Sequence, residues 1–197
     1  YREGKMYEED GEGNRTAATS NLEWQTEALE ELPSSCQASV YVTFPQDLDL
    51  DAFAKLYGEW RDGNVYFMYA AVAVSDGYIS DTIGFSPTGY GMVFDNTPEE
   101  YPYFQLFDHA DAMDQDPAAV WEKHFRDNVT YLSNRGAFLE AMASVNGICP
   151  EYYRDILSFI DENGINIYGA LLSGDVDGIL SFIEKESPVD FYVSDVR

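Results

Sequence analysis

Residues 164–193, GINIYGALLSGDVDGILSFIEKESPVDFYV, read as strand, helix, strand within thirty residues, and residues 38–74, ASVYVTFPQDLDLDAFAKLYGEWRDGNVYFMYAAVAV, read the same way. In each copy a short run of β-branched and aromatic residues meets a turn, then an amphipathic segment, then a second apolar run. A helix between two strands has to bury its apolar stripe on the sheet they belong to. Two such copies therefore predict an α+β fold, with two strand-helix-strand units forming one split (ferredoxin-like) sheet and helices on one face.

The local signals set the element bounds. Val40, Val42 and Phe44 alternate with Tyr41 and Thr43, and Pro45 is expected to end that strand. Leu50, Phe53 and Tyr57 fall three and four apart, which predicts a helix over 49–57 with Gly58 as its terminator. The run 66–74 is continuously apolar, as in a strand covered on both sides. In the second copy Ile165, Ile167 and residues 170–172 make the strand, Ser173 or Asp175 caps the helix, and Ile179, Leu180 and Ile183 are its buried face. Val189, Phe191 and Val193 alternate with polar positions, so the last strand is half exposed and lies at an edge.

Residues 1–16, YREGKMYEEDGEGNRT, mix charge and glycine without apolar periodicity and read as a flexible linker. A single α+β domain then spans 17–197. Ser20 and Glu23 form a capping box for a lead-in helix over 21–31, stopped by Pro33. Between the two copies, residues 76–148 form an insertion, first a glycine-, proline- and aromatic-rich stretch, then helices. Asp116-Pro117 is a helix start, with Val120, Trp121, His124, Phe125 and Tyr131 at helical spacing. Ser133 or Asn134 starts another carrying Phe138, Leu139 and Met142, and a further helix covers 151–162.

Charge narrows the class of partner. With 36 acidic and 11 basic residues the chain carries a formal charge of −25, against magnitudes of about 2–8 for most small domains. Such a surface repels phosphate backbones and anionic head groups, which excludes nucleic acid and argues against direct membrane contact. No Lys or Arg occurs between Arg61 and Lys123, so a cation or basic partner would be sought there. The longest apolar stretch, residues 65–74, is short of the roughly twenty that a bilayer-spanning helix needs. The chain opens at Tyr1 rather than Met, so a processed fragment is expected, with any anchor or targeting segment upstream.

The search for chemistry returns no complete motif. Asp47, Asp49 and Asp51 match the first ligand spacings of a calcium loop, but Ala52 and Gly58 stand where glycine and glutamate are required. Asp108, Asp111, Asp114 and Asp116 read as surface acids ahead of a helix. His109 and His124 lack a third metal ligand nearby, and His124 lies on an apolar stripe, where a packed imidazole is expected. Gly84-Phe85-Ser86-Pro87-Thr88 fails the nucleophile-elbow pattern at its last position. No phosphate loop or dinucleotide fingerprint occurs, so no cofactor is expected. Cys36 and Cys149 have no CxxC spacing; a bridge between them would close a long loop and add about 4 kcal/mol, and two separate thiols is the other reading. The aromatics of the insertion are the remaining material for binding: Tyr78, Phe85, Tyr90, Tyr101 and Tyr103 are the candidate ligand or partner surface.

Leu32-Pro33-Ser34 ahead of the first strand, the LDAF run, GFSP at 84–87 and above all IxIYGxxxSG at 165–174 resemble the sigma factor regulator C-terminal family, over roughly residues 32–196. The resemblance implies the extracytoplasmic portion of a single-span, membrane-anchored anti-sigma factor of Gram-positive bacteria, a non-enzymatic sensor. Its sigma factor would be held only by a segment upstream of Tyr1, and its own partner would be an unknown protein or envelope ligand. The alternatives are an envelope-polymer hydrolase using paired carboxylates, which 36 acids could supply, and a structural or oligomerising domain pairing through its last strand.

Overall fold

The computed structural model describes residues 7–9, 15–17, 22–61, 63–75, 82–89, 98–137, 139 and 150–197. In chain order these form β1 (Tyr7–Glu9), β2 (Arg15–Ala17), α1 (Leu22–Glu30), β3 (Gln37–Asp49), α2 (Leu50–Trp60), β4 (Val65–Val72) and β5 (Gly84–Phe85). A short 3-10 turn (Leu106–His109), α3 (Ala110–Gln115), α4 (Pro117–Ser133), α5 (Pro150–Asn163), β6 (Asn166–Asp175), α6 (Val176–Glu186) and β7 (Asp190–Val196) follow. Two compact units result: one of Tyr1–Thr88 with Asn166–Arg197, the other of Gly89–Ile165. The α+β expectation holds.

In the first unit, the five-stranded sheet has the order β5-β4-β6-β3-β7, every pair antiparallel. The two strand-helix-strand copies interleave: β6 of the second lies between β3 and β4 of the first, and β3 lies between β6 and β7. β7 ends the sheet, as its alternation predicts. Helices α2 and α6 lie against β3, β4 and β6, and α1 against α6 and β7. Within the stretch read as a linker, β1 pairs antiparallel with β2.

The core is a run of edge-on and tilted rings beneath the two helices. Phe53 of α2 sits 5.6 Å from Phe67 of β4 and 6.5 Å from Phe44 of β3; Phe67 sits 6.0 Å from Phe182 of α6, which meets Trp60 at 5.0 Å. Phe53, Phe67 and Phe182 are fully buried, and each such pair adds about 0.5–1.5 kcal/mol beyond its area burial. Trp60 corrects one helix bound. α2 runs through Gly58 to Trp60, because the indole packs on Phe182 and donates from Nε1 to Glu186 Oε1 at 2.9 Å.

Two more bounds differ from expectation, each for a backbone reason. β3 does not stop at Pro45; it continues to Asp49, and its register with β6 shifts between Thr43 and Leu48. A proline is tolerated there because that irregular stretch leaves its missing N–H without a ladder partner. β4 is not covered along its whole length: Tyr66 and Met68 are 55% and 44% exposed, while Phe67 is buried.

Helix starts follow the acids that the sequence offers. Asp49, Asp116 and Asp175 cap α2, α4 and α6, accepting from Ala52 N at 2.8 Å, Ala119 N at 3.1 Å and Gly178 N at 2.7 Å. Asp49 is thus a helix cap rather than part of a calcium loop. Ser20, Cys149 and most of the helix expected after Ser133 lie outside the described residues.

The motif glycines of β6 have a steric cause. A Cβ on Gly169 would stand 2.4 Å from Val42 O, and one on Gly174 would stand 2.2 Å from Asn64 O. Both positions let neighbouring backbone approach β6 more closely than any side chain permits.

Candidate functional site

Of the aromatics named as a candidate surface, Tyr78 and Tyr90 lie outside the described residues. Phe85, in β5 opposite Ala70, is buried, and so is Tyr101. Tyr103 is half-buried and stands in a cluster of polar and aromatic side chains within the second unit.

That cluster is built by one face of α4. Lys123, Asp127 and His124, Asn128, Tyr131 fall at helical spacings of three and four, so they project to the same side. The segment 98–105 folds over this face in two turns, Tyr101 N donating to Pro98 O and Phe104 N to Tyr101 O. Side chains of α4 then satisfy its backbone. Asp127 Oδ2 accepts from Tyr103 N at 2.7 Å, His124 Nδ1 donates to Tyr103 O at 2.8 Å, and Asn128 Nδ2 donates to Phe104 O at 3.3 Å. Tyr131 packs edge-on against Tyr101 at 5.5 Å and tilts against Phe104 at 4.8 Å, while Asn134 donates to the Tyr101 hydroxyl at 2.9 Å.

Tyr103 itself lies between two basic side chains. Its ring stacks on the His109 imidazole at 4.0 Å and 15°, and the Lys123 ammonium stands 4.8 Å from the ring centroid and 3.4 Å from the hydroxyl. His109 Nε2 donates to Pro102 O at 2.7 Å, which fixes that imidazole beside the loop. Burial pushes the His124 pKa below its ordinary value, although the bond to Tyr103 and the nearby Asp127 both pull it up. His124 is therefore a neutral clamp near pH 7, as expected of a packed imidazole, and its Nδ1 proton is committed to a carbonyl. The arrangement fixes a loop that displays a tyrosine beside an imidazole and an ammonium.

Two recesses stand out among the described residues of the first unit. One, of about 30 Å³, lies over Gly169 on the sheet and is lined by Tyr41, Thr43, Tyr69, Thr82, Leu171 and Tyr192. Ligand pockets for small molecules run to about 300–1,000 Å³, so this recess takes a single group rather than a molecule. The other, an open groove of about 320 Å³, lies between the irregular part of β3 and α2, lined by Phe44, Leu48, Leu56, Lys55, Glu59 and Glu186. On its rim Glu59 meets Lys185 at 3.0 Å, and their shared hydrogen bond lowers the Glu59 pKa and raises that of Lys185. Both are solvent-exposed, so the pair marks a rim more than it stabilises one. Among the described residues, no three His, Cys, Asp or Glu side chains converge as a metal site, and no helix is long and apolar enough to cross a membrane.

Sequence reasoning singled out Tyr103 but missed Lys123, Asp127 and Asn128, which hold its loop. The helical stripe on α4 was legible; its polar neighbours one turn along carried the missing signal. A family model described as sigma factor regulator C-terminal matches residues 29–189. No curated protein and no solved structure matches the chain.

Proposed function

Because the chain belongs to the sigma factor regulator C-terminal family, a family of anti-sigma factor regulatory domains typically carried on membrane-anchored proteins, we propose that it is the extracytoplasmic sensor domain of such a factor. It binds a partner protein or envelope ligand, performs no catalysis, and passes its occupancy through the N-terminal segment to control release of a sigma factor held elsewhere in the parent protein. The family match over residues 29–189 carries this reading. The motifs behind that match support a scaffold role, since the β6 glycines serve close backbone packing rather than chemistry.

Within that reading the ligand surface belongs to the aromatic loop of the second unit, where Tyr101 is buried and Tyr103 is not. Tyr103, held rigid by α4 and flanked by His109 and Lys123, is its described contact residue. A rigid aromatic beside the Lys123 ammonium suits a ligand that combines an apolar face with an acidic group. The test is a sigma-dependent transcriptional reporter in cells carrying the parent protein, with residues 29–189 intact or replaced by a flexible linker. Basal repression retained with the response to envelope stress lost is the expected result. An unchanged response with the domain absent would overturn the proposal.

A further inference from the structure

The chain has two histidines, and both hold one loop. His109 Nε2 lies 2.7 Å from Pro102 O and His124 Nδ1 lies 2.8 Å from Tyr103 O, so two successive carbonyls are each fixed by an imidazole. The rings differ in what they have left to offer. A carbonyl can only accept, so the neutral His109 ring carries its proton on Nε2, and Nδ1 is the nitrogen with a bare lone pair. Among the described residues nothing hydrogen-bonds to that Nδ1, and it is not a buried atom, so solvent or a ligand reaches it.

Lys123 is uncommitted in a similar way. In a chain with 36 acids and 11 bases, its ammonium meets no carboxylate at ion-pair distance among the described residues; its contacts are the ring and hydroxyl of Tyr103. Imidazole and ammonium stand 4.0 and 4.8 Å from one ring centroid, so an acid group at the rim of Tyr103 lies in the field of both. Phe107, on the same 3-10 turn as His109 and 72% exposed, adds apolar surface. We propose that His109 is the second recognition group of the Tyr103 site, and that a small aromatic ligand bearing an acid group is held there more tightly as the imidazole takes up a proton at Nδ1. The inference rests on the reading of Tyr103 as the contact residue of a sensor.

Protonation turns Nδ1 from an acceptor into a donor and sets a second positive charge beside the ring. The bond from Nε2 to Pro102 O survives it, so the loop keeps its place. Other charged groups surround the imidazole. The loop carries Glu99 and Glu100, α4 brings Lys123, His124 and Asp127, and the turn and α3 bring Asp108, Asp111 and Asp114. Asp127 Oδ2 is already engaged by Tyr103 N. Carboxylates and ammonium groups ordinarily keep their charge between pH 5 and 8, which leaves the imidazoles as the groups that change. At an ionic strength of about 0.15 M, charges more than about 8 Å away are largely screened, so the acids elsewhere in the chain weigh little on the site.

The experiment titrates the full chain, His109→Gln and Lys123→Gln with benzoate, and with neutral benzamide, at pH 8, 6.5 and 5 and constant salt, followed by NMR at Tyr103 and at the imidazoles. Glutamine at 109 keeps an N–H for Pro102 O. Benzoate should bind the unsubstituted chain about three- to fivefold tighter at pH 5 than at pH 8, the scale of one exposed ion pair. In His109→Gln that ratio should fall to one, whereas Lys123→Gln should bind more weakly at every pH and keep the ratio. Saturating benzoate should raise the midpoint of the His109 titration, because coupling between two binding events is reciprocal, and benzamide should leave it unmoved. Benzoate binding that is flat with pH in the unsubstituted chain, or as steep in His109→Gln, would overturn the proposal and leave the contact-site reading standing. No benzoate effect at Tyr103 at any pH would overturn both.

Discussion

Placing a methyl group on Gly169 asks the sheet to open at its centre. In Gly169→Ala the new Cβ would lie 2.4 Å from Val42 O, where real contacts begin near 3.0 Å. β6 and β3 would have to part by about 0.6–1 Å, or the ladder around Thr43↔Gly169 and Val42↔Ala170 would have to break. Overpacking of this kind costs about 1–3 kcal/mol, and each ladder bond lost adds about 1 kcal/mol. A destabilisation of about 2–4 kcal/mol is expected. Gly58→Ala is the internal control: it lies in α2 with nothing within 4 Å of the added Cβ. Alanine there should stabilise by up to about 1 kcal/mol through helix propensity alone. Urea titrations at pH 7 followed by far-UV circular dichroism give both values. A Gly169→Ala variant within about 0.5 kcal/mol of the parent, the range of an inconsequential surface substitution, would refute the close-approach argument.

Asp175→Ala removes the α6 cap and should cost about 1 kcal/mol in the same titration. Asp49→Ala, whose bond is exposed, should cost less. The His124 pKa is lowered by burial from 6.5, so the unfolded chain binds the proton more readily than the folded one. Its contribution to stability is complete above about pH 6.5 and is lost as pH falls through the folded value. Stability measured from pH 7.5 down to 5 should therefore fall less steeply in His124→Gln than in the parent chain; parallel curves would contradict the clamp.

The parts of the fold legible in the sequence are those whose cause is local. Alternation at Val40, Val42 and Phe44 and at Val189, Phe191 and Val193 marked the paired strands β3 and β7, and Asp-led starts marked α4 and α6. Bounds failed where a distant contact intervened. α2 outruns Gly58 because Trp60 finds Glu186, 126 residues away, and β3 outruns Pro45 because its pairing with β6 shifts register there. The site was less legible for the same reason. Tyr101 and Tyr103 look alike in sequence, and only α4, some twenty to thirty residues on, buries one and displays the other. Gln25 of α1, which bonds Phe191 O and Val193 N of β7, gave no signal at all, since those partners lie 166 and 168 residues downstream.

The central claim is that these residues regulate a sigma factor rather than transform a substrate. The amount of sigma factor co-precipitating with the parent protein, before and after envelope stress, with residues 29–189 intact or replaced by a flexible linker, tests it most directly. Sigma factor bound in both unstressed forms, with a stress-dependent change only in the intact one, is the predicted result. The same change in both forms would contradict it.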